Sequence, residues 1–340
     1  MRAVVFAYSN VGDRCLRVLK ARGVEVVLVV THRDPPGESI WFQRVADTAA
    51  ELGLPTIYGD DPTDPALRDA VARARPDIIF SFYYRAMIPV VVLALAPQGA
   101  FNMHGSLLPK FRGRAPTNWA VLKGESETGA TLHEMLAKPD AGDIVDQSAV
   151  PILPDDTAEQ VFDKVTVAAE QVLWRSLPAM LAGRVPRRPN DLSHGSYYPG
   201  RKPEDGRIDW SRAAAEVYNL IRAVAPPYPG AFTEIGGERL VVAVARRAST
   251  ALPIGTRATT AASASASASA FGSASASACA IASDTLGART PGLHTIGERI
   301  VGVCGDGGVI DIRELRRGPA TIDAAALRAL IDTHPSRSIA

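Results

Sequence analysis

The first half of the chain alternates short, continuous apolar runs with stretches whose apolar positions recur every three or four residues. Residues 3–8 (AVVFAY), 25–31 (EVVLVVT) and 77–82 (DIIFSF) are apolar on both faces of an extended chain, the pattern of buried parallel strands. Shorter runs at 55–58 and 99–103 (GAFNM) continue the series. Between them, residues 11–22, 41–52, 65–75 and 89–95 read as helices, and Gly23 closes the first. This alternation predicts an α/β fold with a doubly wound, mostly parallel sheet of Rossmann-like type. Residues 128–135 and 144–150 predict two more strands, an antiparallel pair at the sheet edge. One long helix is expected at 157–181, with Asp155 or Asp156 as N-cap and Gly183 closing it.

The texture changes beyond Gly183. Residues 186–203 form a Pro-rich connector containing PRRPN and SYYPGRKP. A helix at 212–224, a strand at 239–245, a hairpin within 300–312 around GDGGVIDI and a helix at 322–330 predict a smaller, β-rich domain. Residues 255–285 are dominated by alternating Ala and Ser. That composition buries too little apolar surface to offset its ordering entropy, so a disordered insertion is expected. The expected domains are 1–202, then 203–318 interrupted by the insertion, then a C-terminal helix and tail over 319–340.

Composition narrows the function classes. The 340 residues are 46% hydrophobic and 21% charged, ordinary for a soluble protein with two domains. Lys plus Arg (37) balances Asp plus Glu (36), which gives no sign of a general nucleic-acid binder. Cys15, Cys279 and Cys304 are dispersed, which argues against a disulfide framework or a thiolate zinc site and fits a reducing compartment. No apolar run approaches the roughly 20 residues that span a bilayer, and the N-terminus lacks a secretory signal. A cytoplasmic protein with no membrane partner is expected. His, Cys and carboxylates show no metal-ligand spacing, so no metal is expected. The turn at 8–12 lacks G-x-G-x-x-G, which argues against bound NAD.

Candidate chemistry concentrates in residues 101–118 (FNMHGSLLPKFRGRAPTN). Asn102 and His104 are two apart at a strand end, so both point to one side. In open α/β sheets, ligands bind beyond the carboxyl ends of the strands. There an amide can stabilise an oxyanion and an imidazole can exchange protons with an attacking amine. Asp140, in LAKPDAGDIV, is the candidate to orient the ring, and its ionised form would favour the imidazolium. On spacing alone, a structurally bonded core histidine is the better reading of His104, and His133 reads the same way. His32 and the residues up to Glu38 line a substrate pocket or form a simple loop. Arg201 meets a diphosphate or stands in solvent.

The string at 102–116, NMHGSLLPKFRGRAP, resembles the signature of the folate-dependent formyltransferases. The resemblance implies catalysis by Asn102, His104 and Asp140, the last within D-A-G-D-I. It implies 10-formyltetrahydrofolate as co-substrate, held by the backbone at Ala86, Met87 and Ile88, by Arg114, and by Leu136, Ala137, Lys138, Pro139 and Asp140. It also implies an OB-like β-barrel as the second domain. The strings VVFAYSNVG (4–12), THRDPPGE (31–38), DIIFSFYYR (77–85), GRKPEDGRIDW (200–210) and IRAVAPPYPGAF (221–232) are most similar to the branch acting on UDP-4-amino-4-deoxy-L-arabinose in lipid A modification and polymyxin resistance. At this length a stand-alone version of that activity is expected, without the dehydrogenase half of the bifunctional relatives. A nucleotide-linked amino sugar is thus the expected partner, with Tyr8, Ser9, Tyr83, Asn118 and Arg201 as candidate contacts. Methionyl-tRNA is the alternative acceptor. Residues 201–247 hold eight basic and six acidic residues, too slight a bias for a strong phosphate-binding surface.

Overall fold

The computed structural model describes residues 1–37, 39–248 and 290–334. The Ala/Ser tract at 255–285, Cys279, Glu38 and the end of the tail lie outside those residues. The first part of the chain forms β1 (Arg2–Ala7), α1 (Ser9–Ala21), β2 (Glu25–Thr31), α2 (Val45–Glu51), β3 (Thr56–Tyr58), α3 (Pro65–Ala74), β4 (Ile78–Phe82) and α4 (Val90–Leu93). It continues with β5 (Ala100–His104), β6 (Arg112–Gly113), α5 (Pro116–Leu122), β7 (Glu127–Glu134), β8 (Ile144–Pro151) and α6 (Ala158–Leu181).

Seven of these strands form one sheet in the order β3-β2-β1-β4-β5-β7-β8. The first five run parallel. β7 is antiparallel to β5 and β8 to β7, the edge pair that the sequence predicts. The apolar runs are continuous because both sheet faces are covered. On one face Ala3, Val5 and Ala7 pack under α1, α2, α5 and α6. On the other, Val4 and Phe6 pack against Leu67 and Val71 of α3 and Val92 and Leu93 of α4. Alternate residues of β1 therefore serve opposite layers. At about 25 cal/mol per Å² of buried apolar surface, this double burial is the main force holding the sheet.

The connector carries β9 (Tyr197–Tyr198), which pairs in parallel with β6 and ties the connector to the loop after β5. Then follow α7 (Ala214–Val224), β10 (Ala231–Ile235), β11 (Glu238–Arg247), β12 (Gly292–Ile296), β13 (Arg299–Val303), β14 (Val309–Arg317), β15 (Ala320–Ile322) and α8 (Ala324–Thr333). These strands form an antiparallel sheet, β10-β11-β14-β13-β12 with β15 on β14, curled into a half-barrel. Its core holds Trp210, whose indole N–H donates to Thr233 Oγ1 at 3.3 Å. The two parts meet through α5 and α7. Asn118 Nδ2 donates to the Ala223 carbonyl (2.8 Å), and buried Arg222 donates to the carbonyls of Asp156 (3.1 Å) and Val121 (3.4 Å). No helix among the described residues is long and apolar enough to cross a membrane.

Several boundaries differ from the sequence reading, each for a local reason. Residues 41–44 are not helical, and α2 starts only at Val45. The Trp41 ring is drawn against Phe162 and Tyr228, and the Gln43 N–H is taken by Asn10 Oδ1 at 2.8 Å. Tertiary contacts there override a helical pattern. Thr157, not Asp155 or Asp156, caps α6, in a reciprocal capping box with Gln160. Asp156 is occupied elsewhere, accepting from the Leu153 N–H at 2.7 Å and pairing with Lys164 at 2.5 Å. α7 starts at Ala214 rather than 212, because the Asp306 carboxylate of the β13–β14 turn takes the Ala214 N–H at 3.1 Å. α8 runs to Thr333, capped by Asp323 on the Ala326 N–H at 2.8 Å.

Candidate active site

The strand order reverses between β1 and β4, and the crevice at the carboxyl ends of β1, β4 and β5 is where such sheets take ligands. Non-glycine residues with left-handed φ collect around it: Ser9 (57°), Tyr83 (58°), Phe111 (56°), Ala115 (51°) and Asp140 (49°). The sixth such residue among those described, Arg75, ends α3. Each costs about 1 kcal/mol or more and persists only where its surroundings enforce it. Five strained residues at one rim mark the place where the fold trades stability for placement.

Asn102 and His104 lie on the same side of β5, and the β5–β7 register sets His133 opposite Asn102. The loop between β7 and β8 carries Asp140 back over this edge. Asp140 Oδ1 stands 3.5 Å from His104 Nδ1 and 3.5 Å from His133 Nε2. Its Oδ2 accepts the Gly113 N–H at 2.9 Å. Asn190 of the connector fastens the loop by donating to the carbonyls of Asp140 (3.0 Å) and Gly142 (3.2 Å). Gly142 is required there, since a Cβ would run into the Glu134 carbonyl. Burial alone would raise the Asp140 pKa. The neighbouring His104 and the Gly113 N–H outweigh it and hold the carboxyl well below the usual carboxylate range. Asp140 is therefore a fixed negative charge. His104 is 6% exposed, and its Nε2 lies 2.8 Å from the Phe111 carbonyl, so each ring nitrogen faces an oxygen acceptor. Asn102 Nδ2 lies 3.1 Å from His133 Nε2.

The other candidates surround this cluster. Ala86, Met87 and Ile88 form the loop leaving β4; Ile88 is buried and Met87 exposed. Arg114 Nη2 donates to the Arg85 carbonyl at 3.0 Å, which joins that loop to the one after β5. Leu136, Ala137 and Lys138 are exposed on the β7–β8 loop, ahead of half-buried Pro139 and Asp140. Tyr8 and buried Ser9 make the β1–α1 turn. The Tyr8 hydroxyl donates to Asp34 Oδ1 at 2.8 Å, and the Arg85 guanidinium lies 4.3 Å over its ring. Tyr83 packs edge-on against Phe162, with its hydroxyl against Gly105. Arg201 lies 5.0 Å over the Trp119 ring, and Trp119 stacks on Tyr198 at 4.6 Å. The structure thus brings Tyr8, Ser9 and Tyr83 to the strand ends. It places Asn118 in the contact between α5 and α7, and Arg201 on the β9 side of the loop after β5. No group of three or more His, Cys, Asp or Glu among the described residues could hold a metal ion.

Residues 1–177 match the family model for formyl transferase, and residues 201–328 match that for the formyl transferase C-terminal domain. The chain belongs to the formyltransferase family. This formyltransferase also shares its fold with solved structures at low identity. One is WlaRD, a sugar 3N-formyl transferase, solved in the presence of dTDP and 5-N-formyl-THF. It is 15% identical, covering 92% of this chain and 96% of that one, with a TM-score of 0.64. Another is an N-formyltransferase from Helicobacter canadensis in complex with folinic acid and dTDP-3-aminofucose, 17% identical over 91% and 98%, TM-score 0.64. A 4-N formyltransferase from Francisella tularensis is 19% identical over 72% and 96%, TM-score 0.59.

Three further residues border this cluster in ways that the sequence does not specify. His133 joins the cluster only through strand register, which motif spacing does not reveal. Asn190 reaches the Asp140 loop from about 50 residues away in a connector that reads as featureless. His32 stacks on Tyr84 at 4.1 Å, accepts the Arg85 N–H on Nε2 at 3.1 Å, and turns Nδ1 to Asp60 at 3.7 Å. Of its two readings, the structure shows a bonded residue supporting the loop after β4.

Proposed function

We propose that this enzyme transfers the formyl group of 10-formyltetrahydrofolate to the amine of a nucleotide-linked amino sugar, with UDP-4-amino-4-deoxy-L-arabinose as acceptor and the domains divided near residue 202. The observation that carries the reading is the convergence of Asn102, His104 and ionised Asp140 at the carboxyl end of β5. The amine nitrogen attacks the formyl carbon, and an Asn102 N–H and the protonated His104 face the tetrahedral oxygen. As the bond from carbon to the folate N10 breaks, the protonated His104 gives its proton to that nitrogen and then takes one from the incoming amine. The products are the N-formyl sugar and tetrahydrofolate. Asp140 stabilises the charge on His104, and joint binding of the two substrates supplies much of the rate.

The loops at Ala86–Met87–Ile88 and Leu136–Pro139, with Arg114, are the proposed folate cradle. Exposed Met87 and Leu136 offer apolar contact beside backbone polar groups. Tyr8, Ser9 and Tyr83 at the strand ends are the proposed sugar contacts, and Arg201 is the proposed diphosphate contact. Asn118 acts through its bond to α7. The arabinose acceptor rests on the sequence strings, and it implies a role in lipid A modification and polymyxin resistance. The test is tetrahydrofolate release from 10-formyltetrahydrofolate with a panel of UDP- and dTDP-linked amino sugars and methionyl-tRNA. Release with the UDP-arabinose amine alone supports the full reading. Release with a dTDP sugar alone keeps the reaction and moves the acceptor, and release with the tRNA alone overturns the sugar assignment.

A further inference from the structure

The mechanism above leaves one buried titratable group in the cluster without a task. His133 is 2% exposed, and both its ring nitrogens are engaged. Nδ1 lies 2.8 Å from the Glu134 carbonyl. A carbonyl only accepts, so Nδ1 carries a proton. In the neutral ring Nε2 is then a lone pair, and Asn102 Nδ2, 3.1 Å away, is the donor that meets it. Asp140 Oδ1, 3.5 Å from the same nitrogen, lies beyond the roughly 2.7–3.2 Å of an N–H···O bond. The partnership is built into the sheet, because the β5–β7 register sets Asn102 opposite His133.

An amide's oxygen and nitrogen ends are nearly the same size, so packing alone does not decide which end faces the site. Only a partner of fixed polarity decides it. With the oxygen turned to the site, Asn102 would repel a developing oxyanion instead of stabilising it. We propose that His133 is a positioning residue for formyl transfer: its Nε2 holds one Asn102 N–H and thereby aims the second at the formyl oxygen. This rests on the formyl-transfer reading.

Two measurements test it. Nitrogen NMR of histidine-labelled enzyme near neutral pH, with the signal assigned by His133→Phe, should show His133 neutral and protonated on Nδ1. A ring protonated on Nε2 overturns the proposal. In kinetics, His133→Phe should lower kcat by up to the order of 10²-fold, the scale of losing one oxyanion donor, with KM for the folate little changed. His133→Gln, whose side-chain carbonyl can accept the same N–H, should recover much of the loss. In an Asn102→Ala background, His133→Phe should cost nothing further. An unaltered kcat for His133→Phe, or its full penalty on top of Asn102→Ala, overturns the role. Wild-type enzyme without transfer to any amine would sink the functional reading instead, and the spectrum would still decide the His133–Asn102 bond.

Discussion

Asp140 takes a left-handed backbone, accepts the Gly113 N–H and faces two imidazoles, just after the exposed run Leu136–Ala137–Lys138. On the proposed mechanism its loss removes the negative charge beside His104, and loss of His104 removes the proton carrier. His104→Ala and Asp140→Ala are each expected to lower kcat by about 10²–10⁴-fold, while folate affinity by calorimetry changes little. Near-normal turnover in either variant would refute the assignment. His32 gives a pH prediction. Burial lowers its pKa, Asp60 opposes this, and the Arg85 charge adds to it. The folded state therefore binds a proton less readily than the unfolded chain. Stability from this residue is present above about pH 6.5 and is lost as pH falls through and below that value. Urea midpoints at about pH 7.5 and about pH 5.5 should fall further for wild type than for His32→Gln. The shared side of Asn102 and His104 was legible in strand alternation, whereas their catalytic reading came from the resemblance of residues 102–116. His133 was not legible, because its role depends on which residue of a distant strand stands opposite.

At the scale of elements, α6 is the longest helix described, and its start rests on one capping box. Thr157→Ala should cost about 1 kcal/mol, read as a lower urea midpoint with unchanged kinetics. Gly142→Ala should act on both stability and turnover, since the added methyl meets the Glu134 carbonyl and displaces the loop that carries Asp140. A cost of about 1–3 kcal/mol together with a fallen kcat is expected, and a shift in stability alone would separate the loop from catalysis. The strands and most helices were legible in the hydrophobic pattern, which the two-sided burial of the sheet imposes directly. The caps were harder. In the run Asp155–Asp156–Thr157 three side chains can each cap a helix, and the claims of Tyr218 on Asp155 and of Lys164 on Asp156 leave the cap to Thr157. The β6–β9 pair was illegible for the same reason, being two residues on each side and made by a connector without apolar alternation.

In the whole molecule, the half-barrel is attached to the α/β part by polar contacts as well as apolar ones. Arg222 is the clearest of them, 6% exposed and donating to carbonyls of both α5 and the turn before α6. Arg222→Met keeps the apolar stem and strands those carbonyls. It should lower stability by about 1–3 kcal/mol and broaden the thermal transition as the two parts uncouple. The two-part organisation was legible in the change of texture after Gly183, whereas the contact between the parts was not, because Asn118 read as a substrate residue and its partner Ala223 carries no signal. The proposed reaction moves a formyl group from folate to a sugar amine. The measurement that tests it most directly uses formyl-labelled 10-formyltetrahydrofolate with UDP-4-amino-4-deoxy-L-arabinose and follows the label by mass spectrometry. Label is expected on the sugar amine with wild-type enzyme and none with His104→Ala. Label that stays on the folate, or leaves only as formate, would contradict the proposed reaction.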